Sequence, residues 1–353
     1  MPATLQNALA ISVRALAWLG RQGTRAIAAL VLIGIALPPL GEILKPYVAE
    51  AIFLLLCISF MRVDIAALRD HLRRPGIVLA ASAWTMIAVP ALIGVGCLAA
   101  GVDKSSPDLF LALMLQAVAS PMMAAPALAA LMGLDSTLAL ITLVTGTALV
   151  PLTAPLFAWM FFGAALTLSP LGLGAKLGLI LAGSLGVAMT IRKLFGIAAI
   201  RRHREPIDGI NIVILLVFVS AVMGSVAGDL WSDPLQVAAL TLLAFAIFFA
   251  LVGATMLVFR RLGSERALAL GLLVSQRNMG LMVAATGGAL PGLTWLYFAL
   301  SQFPIYLSPQ LLKPIVGRLG AGEERSGRPR ERGEVDSQPP SKRTVEPVSP
   351  EAP

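Results

Sequence analysis

Charge is scarce in this chain: 13% of its 353 residues are Asp, Glu, Lys or Arg, about half the share of a soluble domain, and 58% are hydrophobic. So little charge cannot keep a water-facing surface hydrated, which excludes an ordinary soluble domain. Histidine occurs only at His71 and His203, in separate polar segments, so no cluster with metal-ligand spacing exists and no metal or other cofactor is expected. Cysteine occurs only at Cys57 and Cys97, both within apolar runs, which excludes a disulfide framework. No covalent chemistry is proposed, and the chain is not read as an enzyme.

Long apolar sequence is abundant instead. From Arg25 to about Gly317 the chain falls into apolar stretches of about 17 to 25 residues, the length a helix needs to cross a hydrocarbon core ~30 Å thick. The fold class expected is an all-α polytopic membrane protein. Its spans are 25–44, 47–63, 76–99, 107–132, 136–162, 171–191, 208–228, 234–258, 264–289 and 294–316. Ten crossings place both termini on one side. Arg14, Arg21, Arg25, Arg62, Arg69, Arg73, Arg74, Arg192, Lys193, Arg201, Arg202, Arg204, Arg260, Arg261 and Arg266 flank one set of span ends, against Lys45, Lys104 and Lys176 at the other. Because positive residues are retained in short cytoplasmic loops, this asymmetry predicts an inner-membrane protein with cytoplasmic termini. The net charge of +8 is then topology, and nucleic-acid binding is the weaker reading.

The ends differ from the middle. In residues 1–24, Leu5, Leu9, Val13 and Leu16 recur at helical spacing and Arg14 interrupts the apolar run. The reading is an uncleaved amphipathic helix on the cytoplasmic surface. From 318 to 353 the composition turns to Gly, Pro, Glu, Arg and Ser, too polar to bury a core, and a disordered cytoplasmic tail is expected. The membrane domain, 25–317, looks duplicated. LALMLQAVASPMM at 111–123 and LALGLLVSQRNMG at 268–280 begin alike and turn polar at the same depth, 157 residues apart. Pro151 and Pro155 in the fifth span match Pro304 and Pro309 in the tenth at nearly the same offset. An offset of five spans, an odd number, requires the repeat to be inverted across the membrane.

Polar residues interrupt this pattern at few places. The ninth span sets Ser275, Gln276, Arg277 and Asn278 together mid-helix, with Gly280 just beyond. A buried arginine at that depth costs about 2.5 to 3.5 kcal/mol and must face protein, water or substrate. Two readings stay open: Arg277 caps carbonyls of a broken helix, or it bounds a transport site. The fourth span carries Gln116 and Ser120-Pro121, then Pro126, and prolines five apart break a helical ladder. Unwound backbone at membrane depth is tolerated only where it lines a cavity or is buried in protein, so two equivalent breaks point to a midplane site. Thr142, Thr145 and Thr147 in the fifth span and Ser301 and Gln302 in the tenth are candidates beside the breaks, although such hydroxyls usually bond their own helix. Asp135 reads as a helix N-cap and not as a proton carrier.

These residues resemble the bile acid:sodium symporter family over about 25–317. LRRPGIVLAASAWTMIAVP at 72–90, SQRNMGL at 275–281 and YFALSQFPIYLSPQLLKPIV at 297–316 are similar to its third, ninth and last spans. The resemblance implies two inverted five-helix repeats, with a panel at about 25–63 and 171–228 and a core at about 76–162 and 234–316. It also implies an X-shaped crossing of broken spans four and nine, alternating access and organic-anion cargo. The departures from the family are specific. Its sodium-ligand positions fall on Leu273, Arg277, Thr85, Ala125 and Pro126, which removes most of the side-chain oxygens a hard cation needs. Arg277 would repel a cation at ~5 Å by about 3 kcal/mol. The guanidinium therefore stands in for a bound Na⁺, and sodium coupling is lost.

The expected function is a secondary transporter of a small organic anion in a lipid bilayer, its substrate site drawn from Arg277, Asn278, Gln276, Ser275, Gln116, Ser120, Thr85, Thr142, Thr145 and Gln302. Pro121, Pro126 and Gly280 mark its helix breaks. The alternatives are a non-transporting membrane sensor or scaffold, and an arsenite-type efflux carrier. The last would need a thiolate in the fourth span, which has none.

Overall fold

A computed structural model describes residues 3–22, 24–62, 75–162, 169–224, 226–288 and 290–325. His71, Arg69, Arg73, Arg74 and the tail from 326 onward lie outside the described residues. The described chain is a succession of helices: α1 Ala3–Gln22, α2 Thr24–Ala36, α3 Pro38–Leu44, α4 Val48–Arg62, α5 Pro75–Ala83, α6 Val89–Ala99, α7 Val102–Ser105, α8 Pro107–Val118, α9 Ala125–Leu131, α10 Ser136–Phe157, α11 Pro170–Arg202, α12 Arg204–Met223, α13 Val226–Ser232, α14 Pro234–Val258, α15 Ser264–Ser275, α16 Met279–Thr286 and α17 Gly292–Arg325. Wider turns of π-helix, Trp84–Ala88 and Ala158–Phe162, join α5 to α6 and extend α10. Among the described residues, six helical stretches are long and apolar enough to cross a bilayer: Pro38–Arg62, Gly76–Ala99, Ser136–Phe162, Pro170–Arg202, Arg204–Ser232 and Pro234–Val258. The chain is an all-α membrane protein.

Several boundaries depart from the sequence reading, each for a local reason. The turn expected at 45–46 lies at Leu37, which is non-helical (φ −121°, ψ 67°) because Pro38 follows it and a residue before proline avoids the helical region. Pro46 instead sits in a 3₁₀ turn, Lys45–Tyr47, that carries the helix on into α4. The last helix does not stop where a disordered tail was expected from 318 but continues to Arg325. Asp135 caps α10 as expected: one carboxylate oxygen accepts from Leu138 N at 2.9 Å and the other from Arg266 Nε at 3.2 Å.

Two groups of helices result. In the first, α12 is the hub. A side chain at Gly41 would collide with Gly224 and the Ser220 carbonyl, and Gly20 and Leu16 of α1 lie against Gly209, so these glycines permit backbone-to-backbone packing. Arg21–Glu205 (2.8 Å) and Arg62–Asp208 (2.7 Å) pin α1 and α4 to the start of α12. Helix α1 is thus packed on a span candidate at its C-terminal half, beyond the surface-lying role read from its sequence. The second group surrounds α8–α10 and α15–α17, whose facing residues are almost completely buried. Phe218 of α12 against Phe298 of α17, ring centres 6.0 Å apart, joins the two groups.

Candidate functional site

The fourth and ninth apolar stretches both break, and the breaks meet. Helix α8 ends at Ala119, whose ψ of 150° is extended, and helix α15 ends at Gln276, extended at ψ 97°. Pro121 has no N–H to continue a ladder. The two extended segments pair as a single antiparallel β-bridge, Pro121 to Arg277, with Met122 N donating to Gln276 O (2.8 Å) and Asn278 N to Ser120 O (2.7 Å). Backbone groups that lost helical partners are thereby satisfied across the crossing, as burial demands. Helices resume at α9, with Pro126 in its first turn, and at α16, whose N-cap Asn278 accepts from Leu281 N at 3.2 Å.

Arg277 fills what the bridge leaves open. Its Nε donates to Val274 O (2.8 Å), Nη1 to Ala119 O (3.0 Å) and Nη2 to Thr85 O (3.0 Å), and the side chain is 1% exposed. Each acceptor is free for a definable reason. Val274 would have bonded Asn278 N, which turns to Ser120 instead. Ala119 faces a strand-like segment where a helix would have supplied the donor. Thr85 lies in the π-turn, where Val89 N bonds Trp84 O; the next donor in that register is residue 90, a proline. The guanidinium thus substitutes for missing backbone N–H groups on three segments, and no carboxylate is paired with it among the described residues. Of its five N–H donors, three are engaged.

The other expected site residues divide. Ser120, at the crossing, and Thr142, on α10, are buried with hydroxyls that have no partner. Asn278 is half-buried. Gln276 points away, its side chain donating to Ser308 Oγ at 2.5 Å and toward Ile305 O at 3.5 Å; its side-chain oxygen Oε1 is unpaired. Gln116 accepts from Tyr297 O–H at 2.6 Å. Thr85, Thr145, Ser275 and Gln302 each bond a carbonyl of their own helix. Gly280 admits Ile52 of α4 beside α16. Pro90, Tyr297 and Ser308 escaped the sequence reading. Pro90 was findable, because a proline inside an apolar span always frees a carbonyl; the other two show no signal in a single sequence.

A scan against protein-family models and a search of characterised proteins both find no match to this chain.

A cavity of about 290 Å³ lies between the two helix groups, lined by Glu42, Lys45, Val48, Val283, Gly288 and Trp295 among others. The Lys45 ammonium sits 4.8 Å from the centre of the Trp295 ring. Gly287 and Gly288, both at positive φ, end α16 at its edge.

Proposed function

We propose that the chain is a secondary transporter that carries a small organic anion by alternating access, without sodium coupling, in a ten-span arrangement of two inverted repeats like that of the bile acid:sodium symporter family. It resides in the inner membrane with both termini cytoplasmic. The observation that carries this reading is the crossing itself: two helices broken at one depth, bridged backbone to backbone, with a single buried cation between them. The bridged pair, Pro121 and Arg277, is separated by nearly the offset of the sequence repeat, and antiparallel pairing is what a two-fold relation between halves would produce. Carbonyls converging on a cation resemble an ion site, and here the cation is covalently attached. A tethered charge cannot be exchanged with solution, so no ion gradient drives the cycle through it. The two N–H donors of Arg277 left over, with the unpaired hydroxyls of Ser120 and Thr142, are the groups an anion would meet once the helix groups part.

Closure of the crossing in this conformation favours one rival, a non-transporting scaffold in which Arg277 is only a cap. Arsenite efflux is disfavoured, since Cys57 and Cys97 lie on α4 and α6, away from the break. A thermal-shift screen of organic acids followed by flux of the best stabiliser into proteoliposomes separates carrier from scaffold. A carrier is stabilised by an anion and moves it; a scaffold gives flux equal to protein-free vesicles.

A further inference from the structure

Helix α11 is longer than a bilayer crossing needs and changes direction near its basic end. From Pro170 to Phe195 it rises about 39 Å, more than the ~30 Å hydrocarbon core. At Gly196 the backbone adopts φ 77°, ψ 154°, a conformation open to glycine and strained for other residues. Around this elbow three large apolar side chains stand outside the protein: Leu194 is 73% exposed, Phe195 67% and Ile197 48%. Arg192 and Lys193 precede them, Arg201, Arg202 and Arg204 follow, and no acidic residue occurs anywhere from Ser136 to Arg204. Beyond the elbow, Glu205 pairs with Arg21, and Asp208 with Arg62 and Arg204.

Loop cations alone would serve as a topology signal. Such a signal needs neither a positive-φ glycine nor an exposed apolar triplet between the charges. An apolar wedge with cations on both sides, about 39 Å along a helix whose hydrocarbon crossing needs ~30 Å, has the composition of a surface that meets anionic headgroups.

We propose that the Gly196 elbow is a binding seat for an anionic phospholipid, with Lys193 and Arg202 on the phosphate and Leu194, Phe195 and Ile197 in the acyl and glycerol region. The inference is independent of any transport activity.

The test uses the full chain in nanodiscs of mixed phosphatidylcholine and phosphatidylglycerol, with lipid retained on the released protein read by native mass spectrometry. Retention of phosphatidylglycerol over phosphatidylcholine is expected, falling about fivefold for each charge removed in Lys193→Gln and Arg202→Gln. Phe195→Ser lowers it as well, whereas the charge-keeping pair Lys193→Arg with Arg202→Lys retains it and shows that the elbow still folds. Equal retention of both lipids by the unaltered chain overturns the proposal, as does full retention by the double glutamine variant. Displacement of the lipid by inorganic phosphate would make the elbow a soluble-anion site and also overturn it.

Discussion

Arg277 is the residue at which sequence cost and structural role can be compared directly. Its depth in an apolar span announced that it must be compensated, and that much was legible from SQRN in the middle of ALALGLLVSQRNMGLMV. Where its donors go was not legible, because one acceptor, Thr85 O, is freed by a π-turn and Pro90 almost two hundred residues earlier in the chain, and another, Ala119 O, by the break in a different helix. Of the two readings left open by the sequence, capping is the one its three carbonyl bonds realise; the transport role rests on the remaining two donors. Removing the side chain strands three buried carbonyls, each worth about 1–3 kcal/mol when unpaired. Arg277→Ala is therefore expected to lower the thermal midpoint of detergent-purified protein by several degrees, and free guanidinium in the buffer should restore part of that loss by refilling the vacated space. A midpoint unmoved by the substitution would show that the carbonyls find other donors. Arg277→Lys keeps charge but cannot reach three acceptors with one ammonium, so it should fall between the two. Thr85→Val, by contrast, deletes only a hydroxyl bonded to Ala81 O and should change the midpoint by no more than a typical single hydrogen bond, about 1 kcal/mol.

Proline placement decides where helices break and where they survive. Pro121 and Pro126 sit beside a polar segment that finds a partner strand, and that break was readable. Helix α17 instead runs through Pro304, Pro309 and Pro314. Pro309 frees the carbonyl of Ile305, which accepts from Ser308 Oγ at 2.7 Å and is approached by Gln276 Nε2 at 3.5 Å, so side chains make good the missing ladder bond. No single-sequence rule supplies that compensation, since Gln276 comes from another helix. The turn at Leu37 departs from the sequence expectation for a similar reason: Pro38 and Pro46 compete to end a helix, and packing of Gly41 on Gly224 accompanies the first. One element-scale prediction follows from the π-turn. Pro90→Ala supplies an N–H in register with the Thr85 carbonyl, which would then compete with Arg277 for it. The substitution should weaken stabilisation by Arg277, so the Arg277→Ala penalty measured in a Pro90→Ala background should shrink in a double-mutant cycle; additive penalties would place the two on independent structures.

At the scale of the whole molecule, membrane class and helical content were fixed by scarcity of charge and by span length, and those need no tertiary information. The grouping of helices around α12 was not available from sequence, because it rests on which glycines face one another. Orientation is a separate prediction from the charge asymmetry: a reporter fused to the C-terminal end should be active only in its cytoplasmic form, and a periplasmic signal would remove the basis for two inverted halves. Coupling is the property on which the proposed function depends most, because that proposal puts the carbonyl-bonded guanidinium of Arg277 in the place of an exchangeable ion. The decisive measurement is uptake of a stabilising organic anion into proteoliposomes with Na⁺ outside, compared with choline at equal ionic strength. The account predicts equal initial rates in the two buffers. A tenfold loss on removing Na⁺, about 1.4 kcal/mol of coupling, would contradict it and reveal a sodium site that Arg277 does not replace.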